Sequence, residues 1–137
     1  MKFNKNGSLD PGIHTMIWDD FHAFFSFSPR RKELLVGLKK VMNMLSELKC
    51  IAIYIDGSFV TDELEPNDVD VCIDIIPKNQ SNFLSLIYSA ITDFEVDLFF
   101  ANNEADEYRT LYLDYFQQMK DNSAKKKGII KLKFATL

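Results

Sequence analysis

The sequence is poor in the residues that build covalent or metal-linked scaffolds. It has two cysteines and two histidines in 137 residues. Cys50 and Cys72 adjoin apolar, strand-like segments at a spacing that suits neither a disulfide nor a metal site, so we expect small buried thiols. His14 and His22 have no partner at metal-ligand spacing, so we expect them in structural or surface positions. A site built on thiolate or imidazole ligands is therefore not expected.

Long hydrophobic runs, repeats and linkers are also lacking. No apolar stretch reaches the length of a membrane span, and no signal or transit peptide is visible. We therefore expect a cytoplasmic protein with no membrane partner. Residues 1–137 are expected to form one domain, with an N-terminal arm at 1–14 and a lysine-rich C-terminal segment at 120–137.

Basic residues are scarce over most of the chain. The net charge is −4, but residues 120–137 carry six lysines against one aspartate, whereas the first 119 residues carry 10 basic and 19 acidic groups. An acidic body does not attract nucleic acid over its whole surface, so any contact with a polyanion is expected to be local. Two interpretations of the C-terminal segment stay open: a local RNA contact and a solvated tail.

Material for a core is abundant, since 47% of the residues are hydrophobic and 13% aromatic. Twelve phenylalanines are many for this length. They predict either an unusually aromatic core or a surface that another chain buries, as in a homo-oligomer or a complex with a partner protein.

Apolar periodicity predicts alternating helices and strands. Ile17, Phe21 and Phe25 follow at helical spacing, and Ser28-Pro29 is a typical helix start before an apolar stripe that runs to about residue 48. Further strands are predicted at 51–56, 69–76, 95–100 and 130–134, and further helices at 83–91 and 108–119. We therefore expect an α+β fold, with a small mixed β-sheet and helices packed mainly on one face.

The stretch from residue 51 to residue 76 holds the most informative pattern. An apolar run ends at Gly57-Ser58, a polar loop follows, and Asp68 and Asp70 open a second apolar run. Two carboxylates separated by one residue at the start of a strand point to the same side of the sheet. Asp97 lies inside the next apolar run, where a carboxylate that has no functional role is unfavourable. An Asp-x-Asp pair alone is more typical of a loop-to-strand junction, so the combination carries the prediction.

Carboxylates held close together raise each other's pKa unless a cation neutralises them. Asp68, Asp70 and Asp97 therefore predict a site for Mg²⁺ or Mn²⁺, which prefers a few carboxylate oxygens completed by phosphates and water. The Gly57-Ser58 turn brings backbone N–H groups close to a phosphate. Together these residues predict a binding site for a divalent metal and a nucleoside triphosphate.

This pattern resembles the nucleotidyltransferase superfamily typified by DNA polymerase β, and in particular its small one-domain members. Their signature is a hydrophobic strand, Gly-Gly or Gly-Ser, about a dozen residues, Asp-x-Asp or Asp-x-Glu, and an acid on a later strand. The segment DGSFVTDELEPNDVDV, which follows the segments PGIH and RRKELLVGL, also resembles an uncharacterised bacterial and phage subfamily. The resemblance implies that Asp68 and Asp70 ligate metal and that Asp97 binds the catalytic ion and helps to deprotonate the acceptor. It also implies that Gly57 and Ser58 hold the β- and γ-phosphates.

Two positions differ from the usual pattern of that superfamily. Phe59-Val60-Thr61 stand where many small members carry an arginine, and Asp56 precedes the glycine where an apolar residue is commoner. Lys131 and Lys133 share one face of the last predicted strand and are our candidates for the missing nucleotide-binding cation. The alternative is that they are edge-strand lysines that discourage aggregation.

The first functional hypothesis is a metal-dependent nucleotidyltransferase that moves a nucleoside monophosphate from an NTP, with ATP the first choice, to a hydroxyl on a protein, an RNA or a small molecule. Because so small a domain leaves little room for an acceptor site, we expect the acceptor on a partner, as in family members that act as antitoxins by modifying a toxin protein. The second hypothesis is a binding module of the same fold that neutralises or scaffolds a partner protein with little or no turnover.

Overall fold

The structure, a computed structural model, describes residues 1–47, 52–73, 80–100, 118–119 and 122–133. These ranges contain the helices α1 (Trp18–Phe25), α2 (Pro29–Glu47) and α3 (Gln80–Phe94). They also contain the strands β1 (Gly12–Ile17), β2 (Ala52–Asp56), β3 (Val69–Ile73), β4 (Val96–Phe100), β5 (Gln118–Met119), β6 (Asn122–Lys126) and β7 (Gly128–Lys133). A 3₁₀ turn, Gly57–Val60, follows β2 directly.

Five of the strands form one mixed sheet in the order β1-β7-β2-β3-β4, and β5 pairs with β6 separately. β2 is antiparallel to both of its neighbours, β7 and β3. The outer pairs, β1 with β7 and β3 with β4, are parallel. The α+β fold with a small mixed sheet that the sequence predicted is confirmed.

The two faces of the sheet differ in chemistry because side chains alternate along each strand. Ile55, Val71 and Leu98 lie side by side on one face and belong to the hydrophobic core, together with apolar residues of α1, α2 and α3. The neighbouring residue on each of these three strands is an aspartate that points to the opposite face: Asp56, Asp70 and Asp97. The described helices therefore pack on one face, as predicted, and the acids lie on the other.

Helix α2 begins where the sequence predicted. The Ser28 hydroxyl oxygen accepts a hydrogen bond from the backbone N–H of Arg31 at 3.2 Å, and Pro29 is the first helical residue. A serine N-cap of this kind satisfies one of the amide groups that a helix start leaves unpaired. The same hydroxyl donates to the carbonyl oxygen of Leu64 at 2.6 Å, which fastens the helix start to the loop before β3.

The N-terminal segment is not the arm that we expected at residues 1–14. Gly12–Ile17 forms the edge strand β1, and the segment before it contributes to the core, with Leu9 only 1% exposed. Ser8 forms a β-bridge with Thr61, and the amide of Asp62 donates to the carbonyl oxygen of Gly7 at 2.9 Å. The expectation was wrong because the segment's pairing partners lie far away along the chain.

The C-terminal predictions also need correction. Gln118–Met119 is a strand, so the helix expected over 108–119 does not extend to its predicted end, and residues 101–117 lie outside the described part of the chain. The last strand is found as β7, but it lies between β1 and β2. Lys131 and Lys133 are therefore not edge-strand lysines.

The remaining residues singled out from the sequence are mostly accounted for. Cys72 is a buried thiol, as expected, whereas Cys50 lies outside the described residues. The imidazole Nε2 of His14 lies 2.7 Å from the carbonyl oxygen of Asp10, and His22 is exposed, so both occupy the expected kinds of position. Among the described helices, none has the length and apolar character that crossing a membrane requires.

Candidate metal and phosphate site

Three aspartates meet on the sheet face opposite the described helices. Asp70 on β3 pairs in register with Asp97 on β4 and, on its other side, with Asp56 on β2. Asp68 comes immediately before β3. Asp68, Asp70 and Asp97 are each partly buried, and one carboxylate oxygen from each lies within 4.8 Å of the others. The structure thus brings together the three acids singled out from the sequence.

The electrostatics of this cluster favour a bound cation. Burial, followed by the charges of Asp68, Asp56 and Asp97, raises the pKa of Asp70 to about 7. Burial and the charge of Asp68 likewise raise the pKa of Asp97. The three clustered aspartates are an oxygen-only ligand set, which fits a hard divalent ion such as Mg²⁺ or Mn²⁺.

Gly57 has two reasons to be glycine. Its φ of +79° lies in the left-handed region that residues with a side chain rarely adopt. A Cβ at this position would overlap the Oδ2 atom of Asp70 and lie 3.1 Å from its Cγ. The turn that follows β2 therefore rests directly against the Asp70 carboxylate, which places Ser58 beside the acid cluster.

A buried arginine holds this turn from the core side. Arg31 is 0% exposed, and its guanidinium donates to the carbonyl oxygens of Phe59 at 2.7 Å, Thr61 at 2.6 Å and Glu63 at 2.8 Å. Burial lowers the pKa of Arg31 to about 10, which still leaves it charged at neutral pH. Because the guanidinium holds these three carbonyl oxygens, it fixes the backbone conformation of the turn from the core side of the sheet.

The preceding arginine holds the other half of the site. Arg30 donates from Nη2 to the carbonyl oxygen of Asn67 at 2.7 Å and to Oε2 of Glu95 at 2.6 Å. Asn67 precedes Asp68, and Glu95 lies two residues before Asp97. Arg30 therefore links the backbone segment that precedes Asp68 to the one that precedes Asp97. Arg31 fixes the turn at Gly57.

These two arginines were not among the site residues predicted from the sequence. A signal was present, because cations in the first turn of a helix oppose the helix dipole. Arg30 and Arg31 occupy that first turn, which has no acidic residue. Two arginines in an unfavourable place indicate that their charges serve contacts elsewhere.

Lys127 is a further residue that sequence analysis missed. Its Nζ lies 3.5 Å from Oδ1 of Asp56, a residue that is only 8% exposed. This separation makes an ion pair but not a hydrogen bond, and Oδ1 has no hydrogen-bond partner among the described residues. Burial raises the pKa of Asp56, and the nearby charge of Lys127 opposes that rise.

The two lysines predicted to bind nucleotide lie further along the sheet. Lys131 pairs with Tyr54 and Lys133 with Ala52, which are two and four residues before Asp56 on β2. At about 3.3 Å per residue, these positions are roughly 7 and 13 Å from the level of Asp56. The Nζ of Lys131 lies 6.0 Å from the centroid of the Tyr54 ring. The structure does not bring either lysine to the level of the glycine turn.

An open cleft of about 250 Å³ adjoins the acids on the side of α3. Asp68 and Asp97 line it together with Asn67, Ile91, Glu95 and Val96. Two of the three clustered aspartates therefore line a space that a small group can enter.

Residues 1–133 match the model of a family described as a family of unknown function (DUF6932). No curated protein and no solved structure matches the chain. The family match includes every residue of the site described above, and the chemistry of that site carries the functional argument.

Proposed function

Since this chain belongs to DUF6932, a family of unknown function, we propose its activity from the site itself. The proposal is a nucleotidyl transfer, dependent on Mg²⁺ or Mn²⁺, from an NTP to a hydroxyl group, with ATP as the first nucleotide to test. The observation that carries it is the convergence of Asp68, Asp70 and Asp97 within 4.8 Å beside a glycine turn.

Each residue has a defined task in this proposal. Asp68 and Asp70 hold divalent metal, and the backbone N–H groups of Gly57 and Ser58 bind phosphate oxygens. The acceptor oxygen bonds to the α-phosphorus, the bond from that phosphorus to the bridging oxygen breaks, and pyrophosphate leaves. Asp97 takes the acceptor proton. A divalent cation at such a site lowers the pKa of the acceptor hydroxyl and stabilises the leaving group.

The acceptor enters beside Asp97 in this proposal. The cleft next to the acids has a volume of about 250 Å³, below the roughly 300 Å³ at which pockets for drug-sized molecules begin. An acceptor hydroxyl carried on a partner protein or an RNA therefore fits better than a large free molecule enclosed by this domain.

One observation favours the second candidate function, a binding module without turnover. Phe59 and Val60, which stand where the related superfamily often has an arginine, are 0% and 1% exposed and belong to the core. Neither of these two side chains offers a cation to a triphosphate. A protein that had lost nucleotide binding would keep the fold and act on its partner by contact alone.

A labelling experiment separates the two candidates. The purified protein is incubated with each α-³²P-labelled NTP and Mg²⁺, with and without the product of a neighbouring gene. We expect label transfer that falls at least about a hundredfold in Asp70→Asn, because weaker perturbations around a metal already cost about 10–100-fold. Asp20→Asn, which removes an exposed carboxylate of α1, is the matched control and is expected to retain transfer. Absence of both transfer and metal-dependent nucleotide binding would leave only the binding module.

A further inference from the structure

The proposed reaction needs a cation for the phosphates of the nucleotide, and the turn after β2 does not supply one. We infer that Lys127 is that cation and that the buried carboxylate of Asp56 holds its ammonium in place. The inference rests on the proposed function, and it assigns the phosphate contact to a residue at the junction of β6 and β7.

The position of Lys127 follows from the strand register. β2 and β7 are antiparallel, and their ladder runs to Ile55 opposite Ile130. Continued in the same register, the ladder sets Lys127 opposite Ser58. The 3₁₀ turn curls away from the strand direction, but it contacts β7. Lys127 therefore comes immediately before the strand that contacts the turn whose N–H groups would bind phosphate.

The side chain of Lys127 is directed at the site rather than at solvent. Only 14% of it is exposed, and its Nζ lies 3.5 Å from Oδ1 of Asp56, which pairs in register with Asp70. Its positive charge also acts on Asp70, where it opposes the rise in pKa. An ammonium carries three N–H donors, so one carboxylate partner does not exhaust it.

Asp56 explains why a lysine stands here. A buried carboxylate with an oxygen that no hydrogen bond from the described residues satisfies is costly by itself. Beside Lys127 it becomes an anchor that immobilises a long and flexible side chain next to the turn. The pair adds no net charge, so Asp56 does not repel a triphosphate as an unpaired acid would.

A purely structural role would have Lys127 only neutralising Asp56. Neutralising Asp56 and contacting phosphate are two roles that predict different nucleotide affinities when Asp56 is replaced by a neutral residue. If neutralisation is the whole task, replacing both residues removes the unpaired charge and restores nucleotide affinity. If Lys127 contacts phosphate, the double variant Asp56→Asn/Lys127→Met stays as weak as Lys127→Met, because the cation is still missing.

Three titrations test the assignment on the chain of residues 1–137. Binding of Mn²⁺ is followed by electron paramagnetic resonance, and binding of MgATP and of magnesium tripolyphosphate by calorimetry. We expect Lys127→Met and the double variant to bind both phosphate probes about tenfold more weakly, the loss of one charge-assisted contact, with Mn²⁺ affinity retained. Lys39→Met, an exposed lysine of α2, is the charge-matched control and is expected to bind as the wild type.

The outcomes separate this inference from the proposed function. If Asp70→Asn abolishes binding of MgATP while Lys127→Met or the double variant binds it as the wild type does, Lys127 is not the phosphate cation and the proposed function stands. A larger loss in Lys131→Met than in Lys127→Met also overturns the assignment. If the wild type binds neither Mn²⁺ nor a phosphate probe, the proposed function fails and the assignment fails with it.

Discussion

At Gly57, a missing side chain meets two requirements at the same time. The backbone turns through a left-handed conformation there, and the space a Cβ would fill is taken by the Asp70 carboxylate. The first requirement is common to many turns, whereas the second couples the turn to the acid cluster. A substitution at Gly57 is therefore expected to act on both the proposed phosphate contact and the proposed metal site.

We predict that Gly57→Ala lowers the affinity for Mn²⁺ by about tenfold or more, because the added methyl group displaces a metal-binding carboxylate. Gly12→Ala is the control, since Gly12 also has a positive φ of 124° but no atom of the described residues lies within 4 Å of the place that its Cβ would occupy. Both variants introduce backbone strain, which denaturation measures, but only Gly57→Ala should lose metal in the titration. Equal Mn²⁺ affinities in the two variants would show that Asp70 does not depend on this glycine.

The residues of the site differ in how far along the chain the contacts that explain them lie. Asp68 and Asp70 are recognisable locally, since two acids one residue apart at a strand start share a face. Asp97 is informative because a strand interior is a poor place for a lone acid. Lys127 and Arg31 could not be assigned this way, because their roles come from Asp56 and from the turn, which only the fold brings near them.

At the scale of elements, β7 connects the two ends of the described chain. It pairs with β1 on one side and with β2 on the other, and it contacts the site's glycine turn. Gly128, its first residue, donates its amide to the carbonyl oxygen of Leu9 at 3.0 Å. The N-terminal segment thus docks where β7 begins, one residue after Lys127.

We predict that Gly128→Ala lowers the free energy of unfolding by about 1–3 kcal/mol. Its Cβ would overlap the carbonyl oxygen of Asp10 and lie 2.8 Å from both Leu9 Cβ and His14 Nε2. A backbone carbonyl and a buried leucine cannot move aside cheaply, so this clash outweighs the gain of about 0.5–1 kcal/mol that alanine normally brings over glycine in a strand. Urea denaturation measures the change. Lys133→Ala, an exposed position at the other end of β7, is expected to change stability little, and a stabilised Gly128→Ala would contradict the docking.

Elements with local signals were predictable, and elements defined by distant pairing were not. Helix α2 has an N-cap serine, a proline in its first turn and an apolar stripe, all readable in sequence order. Strand β1 has no such signal, because Gly12–Ile17 becomes a strand only through β7 near the far end of the chain. The same dependence explains why the sequence predicted an arm at residues 1–14.

For the molecule as a whole, the acid cluster makes stability depend on pH, and the proposed metal site would make it depend on divalent cation as well. The pKa of Asp70 is about 7 in the folded protein, against roughly 4 for an unfolded aspartate. The pKa values of Asp56 and Asp97 are raised as well, mainly by burial. Between the unfolded and folded values the folded state binds more protons than the unfolded state, so the free energy of unfolding falls as pH rises.

Without divalent metal, we therefore predict that stability declines between about pH 4 and pH 7 and then levels off. For Asp70 the decline is smaller than the roughly 4 kcal/mol of the full shift, because solvent screens this partly exposed carboxylate. Mg²⁺ should stabilise the protein more at pH 8 than at pH 5, because it binds the ionised carboxylates and must displace protons at the lower pH. Urea denaturation across this range, with and without Mg²⁺ at roughly 10 mM, measures both effects. Asp70→Asn removes the main titrating group, so its pH slope should be shallower. A wild-type stability that rises over the same interval, or a Mg²⁺ effect independent of pH, would mean that these carboxylates are not the metal site.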